Sequence, residues 1–212
     1  MTDACPSGVD CTIAVFARPP RLGQVKTRLA AGVGDQAALT IYRQLLEHTL
    51  RQVSISGLPF TLFAAAQSDQ LTELAHRYGG AVALQHGADL GERMAAALSA
   101  MHKKPAGSVI LIGTDCPVLT AGHLLAAQRQ LAQSDVVIGP AEDGGYWLIG
   151  SANSSLWQDS SVFDGVRFGG SRALLMTLNG LQRAGVSASM LPMLWDLDTE
   201  QDYQRACVLG IL

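Results

Sequence analysis

The chain lacks most of the features that identify a protein from one motif. Its four cysteines, Cys5, Cys11, Cys116 and Cys207, have neither Cys-x-x-Cys nor zinc-finger spacing, so free thiols are expected. Its five histidines, His48, His76, His86, His102 and His123, show no metal-ligand spacing and read mostly as surface residues. No apolar run approaches the roughly 20 residues of a membrane helix. The first residues carry no basic region followed by an apolar stretch, so no secretory signal is expected and a cytoplasmic location is. Charge is scarce, at 16% of residues, and the formal net charge is −3 with a pI near 5.9. That balance argues against a nucleic-acid partner or a polybasic membrane surface. Also missing are the Gly-x-Ser-x-Gly elbow, the Gly-x-x-x-x-Gly-Lys-Ser/Thr loop and the Gly-x-Gly-x-x-Gly fingerprint.

What remains is a chain of 212 residues, 48% hydrophobic, with 22 glycines. That is enough apolar material for a sizeable core, and the glycines suit many tight turns. Residues 1–10 read as a flexible leader and 11–212 as one domain. Apolar runs predict strands over 12–17, 60–66, 81–84, 108–112, 135–138, 145–150 and 186–194. Helical periodicity and capping residues predict helices over 35–53, about 71–78, 90–102, 121–131, 171–184 and 200–209. Residues 151–170 carry no strong pattern. Strand alternating with helix implies an α/β fold, with a mainly parallel sheet and helices on both faces. In such sheets ligands bind beyond the carboxyl ends of the strands, so the loops after strands should carry the chemistry.

The first of these loops inverts the sign of the chain. The apolar run 13–16 ends in Pro19 and Pro20, then Gly23, with Arg18, Arg21, Lys26 and Arg28 spread through the segment. Prolines stop the strand, and Gly23 allows a tight bend and close approach to a ligand. A strand that ends in a cationic glycine loop suits phosphate.

The later strand-tip loops are acidic. Asp115, in Gly113-Thr114-Asp115-Cys116-Pro117, is either a turn former or a ligand for Mg²⁺ or Mn²⁺, and Thr120 is free to cap the next helix. Glu142-Asp143-Gly144-Gly145-Tyr146-Trp147 reads as a hairpin turn that also lines a site for a polar substrate such as a sugar. Asp196 and Asp198 precede the Thr199 cap, and one of them could complete a metal site with Asp115. In Asp89-Leu90-Gly91-Glu92-Arg93-Met94, Asp89 caps a helix. Gly91 costs that helix about 1 kcal/mol against Ala unless a ligand approaches, and Arg93 could meet phosphate or face solvent. Cys116 reads as a structural thiol, with no histidine placed beside it.

Taken together and in order, Lys26-Thr27-Arg28-Leu29, the Asp89–Met94 segment, Gly113-Thr114-Asp115-Cys116-Pro117, residues 142–150 and Asp196-Leu197-Asp198-Thr199 carry a resemblance over about residues 11–210. The chain resembles bacterial glycosyltransferase-like proteins of the radical-SAM/selenodomain-associated transferase type, in the GT-A nucleotide-diphospho-sugar transferase superfamily. Arg18 stands where that family often has Lys, and Phe168 where it often has Trp. The resemblance implies a three-layer Rossmann-like GT-A fold. It implies nucleotide-phosphate binding by Lys26, Thr27 and Arg28, with Arg18, Gly23, Gly91 and Arg93 assigned to the same group. It also implies a Mg²⁺ or Mn²⁺ ion on Asp115 and on Asp198 or Asp196. Asp143 is the expected catalytic base or sugar ligand, and Glu142, Gly144, Gly145 and Tyr146 the expected substrate contacts. The expected reaction is glycosyl transfer from a nucleotide-sugar to a small-molecule acceptor. The alternatives are nucleotidyl transfer from a nucleoside triphosphate, guanylyltransferase-like, and nucleotide binding without turnover. No membrane partner is expected, and a homodimer is an open expectation.

Overall fold

The apolar runs become strands of a single sheet in the computed structural model, which describes residues 10–102 and 107–211. Nearly all of the expected leader lies outside the described residues, as does Cys5. The strands are β1 (Cys11–Ala17), β2 (Phe60–Ala64), β3 (Ala81–Leu84), β4 (Ser108–Ile112), β5 (Val136–Pro140), β6 (Tyr146–Ser151) and β7 (Ala188–Met190). Their order is β3-β2-β1-β4-β6-β5-β7. All neighbours run parallel except β6, which is antiparallel to both β4 and β5. Every residue of β4 and β5 is buried, as continuous apolar strands covered on both faces should be.

The helices are α1 (Thr27–Val33), α2 (Asp35–Ser56), α3 (Asp69–Arg77), α4 (Leu90–Met101), α5 (Ala121–Leu131), α6 (Ala173–Arg183) and α7 (Glu200–Val208). Helices α2, α3 and α5 cover one face through Leu46, Leu50, Leu71 and Leu124. On the other face α4 and α6 pack with two short 3₁₀ turns, through Met94, Leu98, Trp157, Phe163 and Leu181. Asp89, Thr120 and Thr199 cap α4, α5 and α7 as the sequence predicts. None of these helices is long and apolar enough to cross a membrane.

A third, smaller cluster ties two distant loops together. Leu29 of α1, Ile41 and Leu45 of α2, and Trp195, Leu197 and Ala206 near α7 pack against one another, away from the two main cores. The segment after β1 is thereby joined to the segment that enters the last helix.

Three expectations need correction. The sequence predicts no helix at 27–33, yet α1 forms there, with Thr27 and Arg28 in its first turn rather than in an extended loop. It lacks a side-chain cap and begins from Lys26 in the left-handed region, so it carries no ordinary start signal. The last strand spans three residues, not nine: past Met190 the Leu191 and Leu194 amides still donate to the Ile138 and Pro140 carbonyls, but three residues on this side then face two on β5, so the regular ladder breaks and an isolated bridge, Ala141 to Leu194, follows. Gly144 serves packing: at φ 86° it turns the β5–β6 hairpin, and a Cβ there would lie 2.0 Å from the Ser171 carbonyl oxygen.

Gly144→Ala should therefore destabilise the fold by about 1–3 kcal/mol, since overpacking and a positive φ act together. Urea unfolding followed by circular dichroism measures this, and an unchanged midpoint would contradict the packing role.

Candidate active site

The chain runs from β1 to β2 and β3 on one side, then returns to β4 on the other. The crevice at that reversal, beyond the carboxyl ends of the strands, is where an open α/β sheet holds ligands. A cavity of about 540 Å³ lies there. Lys26 and Arg28 reach it from the side of α1 and α2, and Arg93 from α4 on the opposite face. Asp115 follows β4, Asp143 tips the β5–β6 hairpin, and Asp196 and Asp198 lead into α7.

Lys26 is the centre of this arrangement. Its Nζ lies 2.5 Å from Asp115 Oδ1 and donates to Asp198 Oδ1 at 2.8 Å, while its side chain is only 4% exposed. Arg28 pairs with the other oxygen of Asp198. Local structure explains how residues so distant in sequence meet. Leu29, one turn beyond Lys26, and Leu197, next to Asp198, are both fully buried in the third cluster. The Leu197 amide donates to the Asp115 carbonyl at 2.8 Å, which stitches the two acidic loops together. Tyr42 of α2 fixes the start of the cationic loop: its hydroxyl accepts from the Arg18 amide at 2.9 Å and donates to the Arg18 carbonyl at 2.8 Å.

The ionisation of the site follows from these contacts. Burial alone would lower the Lys26 ammonium, but Asp115 and Asp198 outweigh it and hold the pKa above its ordinary value. Burial would likewise raise the Asp198 carboxyl, yet Lys26 and Arg28 keep it below its ordinary value. Burial, then the charges of Asp115, Asp143 and Asp198, push Asp196 up to about 7; Lys26 acts on it too and pulls it down, but is the smallest of its influences. Burial and the nearby Asp196 push the Cys116 thiol up to about 12, so it stays protonated and is no nucleophile at neutral pH.

The structure brings Arg18, Lys26, Thr27, Arg28, Arg93, Asp115, Asp143, Gly145, Tyr146, Asp196 and Asp198 to the cavity lining. The other proposed site residues sit elsewhere. Gly23 makes the bend of the loop, at φ 70°, without lining the cavity. Gly91 is buried, and a Cβ there would lie 2.8 Å from Phe163 Cβ, so packing rather than ligand approach explains it. Gly144 packs on Ser171. Glu142 points away: it receives two hydrogen bonds from Arg205, at 2.7 and 3.1 Å, and Arg205 stacks 4.4 Å from the Trp195 ring. Arg21 donates to the Gln67 carbonyl at 3.5 Å, outside the cavity. Sequence reasoning missed Tyr42, which reads only as an apolar position on a helix face. It assigned no site role to Gln85, Phe16 or Met94, which also line the cavity, although Met94 ends the Asp89–Met94 motif.

The donor set suits a hard divalent cation. Asp115 and Asp198 each turn an oxygen toward one positive charge, the Lys26 ammonium. Among the described residues no group of three or more His, Cys, Asp or Glu forms a ready metal cage. Two carboxylates completed by substrate phosphate and water are the usual protein share for Mg²⁺.

A pH dependence follows from Asp196. Folded, it keeps its proton up to about pH 7, whereas an aspartate in an unfolded chain releases it near about 3.9. Between those values the folded state binds more protons, so its stability falls as pH rises, and the contribution is fully present only below about pH 4. In metal-free buffer, Asp196→Asn should flatten that part of the melting-temperature profile. Parallel profiles for the variant and the wild type would show that Asp196 is not held protonated.

Known proteins share this framework. A crystal structure of a provisionally named nucleotide-diphospho-sugar transferase from Desulfovibrio desulfuricans matches with a TM-score of 0.81 and 32% identity, over 92% of this chain and 85% of that one. A 4-diphosphocytidyl-2C-methyl-D-erythritol synthase from Anaerococcus prevotii matches in fold, with a TM-score of 0.63 and 13% identity over 96% of this chain and 99% of its own. Phosphoenolpyruvate guanylyltransferase from Sphaerobacter thermophilus is 24% identical over 120 residues, 57% of this chain, and the chain spans 58% of that relative's length. The family described as an uncharacterized protein conserved in bacteria, DUF2064, matches residues 49–170, more than half of the sequence. The chain has the nucleotide-diphospho-sugar transferase fold and belongs to the bacterial DUF2064 family.

Proposed function

We propose that the protein is a divalent-metal-dependent transferase whose donor is a nucleoside diphosphate sugar and whose acceptor is a small molecule. The observation that carries this reading is the meeting of Lys26 and Arg28 with Asp115 and Asp198 in one cavity at the carboxyl edge of the sheet. Cations there suit a diphosphate, and carboxylates beside them suit the metal that accompanies it. The 32% identical relative named as a nucleotide-diphospho-sugar transferase supports the same donor.

In this reading Arg18, Lys26 and Arg28 hold the diphosphate and neutralise charge as it departs. Asp115 and Asp198 would hold Mg²⁺ or Mn²⁺, which supplies Lewis-acid stabilisation of the leaving phosphate. Asp143 lines the same cavity from the hairpin tip, with its Oδ1 accepting from the Gly145 amide at 2.8 Å. It would take the acceptor hydroxyl proton as that oxygen attacks the sugar carbon, and the nucleoside diphosphate leaves with the bonding electrons. Tyr146 and Phe168, 6.5 Å apart edge to face, would give the sugar an apolar wall.

Nucleotidyl transfer is the second reading, favoured by the guanylyltransferase relative. There an acceptor oxygen would attack the α-phosphorus of a nucleoside triphosphate and pyrophosphate would leave. The released product separates the two: a nucleoside diphosphate supports the first reading and pyrophosphate the second. Both require Asp115. A nucleotide at about 100 times its Kd stabilises a protein by about 2.7 kcal/mol. In a thermal-shift screen with Mn²⁺ that increment should disappear in Asp115→Ala, and a full increment in the variant would overturn the site assignment.

A further inference from the structure

We infer that the Asp115–Asp198 pair accepts a divalent cation as its chelate with a polyphosphate and not as the free ion, because Lys26 fills the cation's place until phosphates draw it away. This rests on reading the cavity as a metal–nucleotide site and adds the order in which that site can fill.

Geometry supplies the block. Both carboxylates direct an oxygen at the Lys26 nitrogen, at 2.5 and 2.8 Å. Asp198 Oδ2 is taken by Arg28, so neither oxygen of that carboxylate is open. The Lys26 side chain is almost wholly buried. Its backbone is held unusually: Lys26, at φ 48° and ψ 44°, is the one described non-glycine residue with positive φ. That conformation is costly for an L-residue and persists where the surroundings impose it. Here Leu29 anchors the helix that begins at Lys26.

Charge then decides what can enter. A free dication would displace an ammonium from two carboxylates and leave it beside the new ion, with no added negative charge to compensate. A metal–polyphosphate chelate brings its own negative charge. The ammonium is a compact charge on a flexible four-carbon stem, so it can turn from carboxylate to phosphate with the backbone in place. Arg18 and Arg28 line the same side of the cavity and add to the pull. Metal and polyphosphate should therefore each raise the affinity for the other, by the same factor.

Equilibrium dialysis of the full chain against Mn²⁺, with and without inorganic pyrophosphate, tests this directly. Wild-type protein should retain Mn²⁺ about tenfold or more tightly when pyrophosphate is present. Lys26→Met should retain Mn²⁺ alone about tenfold or more tightly than wild type, with much less gain from pyrophosphate. A circular dichroism melt confirms that the variant is folded; if it is not, the wild-type comparison decides alone. Wild type that holds Mn²⁺ equally with and without pyrophosphate, or a folded Lys26→Met that binds no better than wild type, overturns the inference and leaves the metal site standing. If neither protein retains Mn²⁺ under any condition, the metal reading and this inference fall together.

Discussion

Two aspartates that approach each other across a sheet edge need a positive charge between them. In this protein the charge is the buried ammonium of Lys26, which joins the loop after β1 to the loops after β4 and β7. A buried ion pair adds little net stability, because desolvation offsets much of the attraction. Removing one partner, however, leaves an uncompensated buried charge, so the group behaves as a unit. The surrounding structure is arranged to keep that unit assembled. Leu29 and Leu197 lie in one apolar cluster, a backbone hydrogen bond ties Leu197 to Asp115, and Tyr42 fixes the chain at Arg18. Apolar packing sets the frame, and the frame sets where the charges meet.

The same constraint sorts the remaining acids. Asp198 pairs with two cations and stays ionised, whereas for Asp196, two residues earlier, burial and neighbouring acids outweigh the pull of Lys26 and raise its pKa. Asp143 stands apart on the hairpin, its geometry fixed by the Gly145 amide. Near-identical side chains thus acquire different chemistry from their neighbours alone.

Much of this was legible in the sequence. Continuous apolar runs marked β1 and β4, capping residues marked α4, α5 and α7, and the rule that strand-tip loops carry function singled out Lys26, Asp115, Asp143 and Asp198. The failures share a cause, which is that the deciding contact is remote. Glu142 looked like a substrate ligand because nothing nearby claims it, yet its partner Arg205 lies 63 residues on. Gly91 and Gly144 looked like places for a ligand, and instead admit Phe163 and Ser171 from distant turns. Helix α1 escaped notice because it starts without a cap from a strained lysine, and β7 is short because its pairing with β5 slips by one residue after Leu191. That Lys26 itself closes the acidic pair, 172 residues from Asp198, has no local signature at all.

One strand runs against the rest. Because β6 is antiparallel to both neighbours, the chain arrives at the carboxyl edge on β5, turns, and leaves it again on β6. Asp143, Gly145, Tyr146 and Trp147 therefore reach the cavity from one continuous stretch, whereas the part that holds Lys26, Asp115 and Asp198 is assembled from three separate loops. Neither side can vary alone. The assembled side is locked, since a change in any of its loops disturbs the other two. The hairpin is pinned to it, because the Leu194 amide donates to the Pro140 carbonyl and the Glu142 amide to the Leu194 carbonyl, two residues before Asp196. A change in length at the hairpin tip would therefore be felt at the Asp196–Asp198 loop, and the two sides of the cavity must vary together.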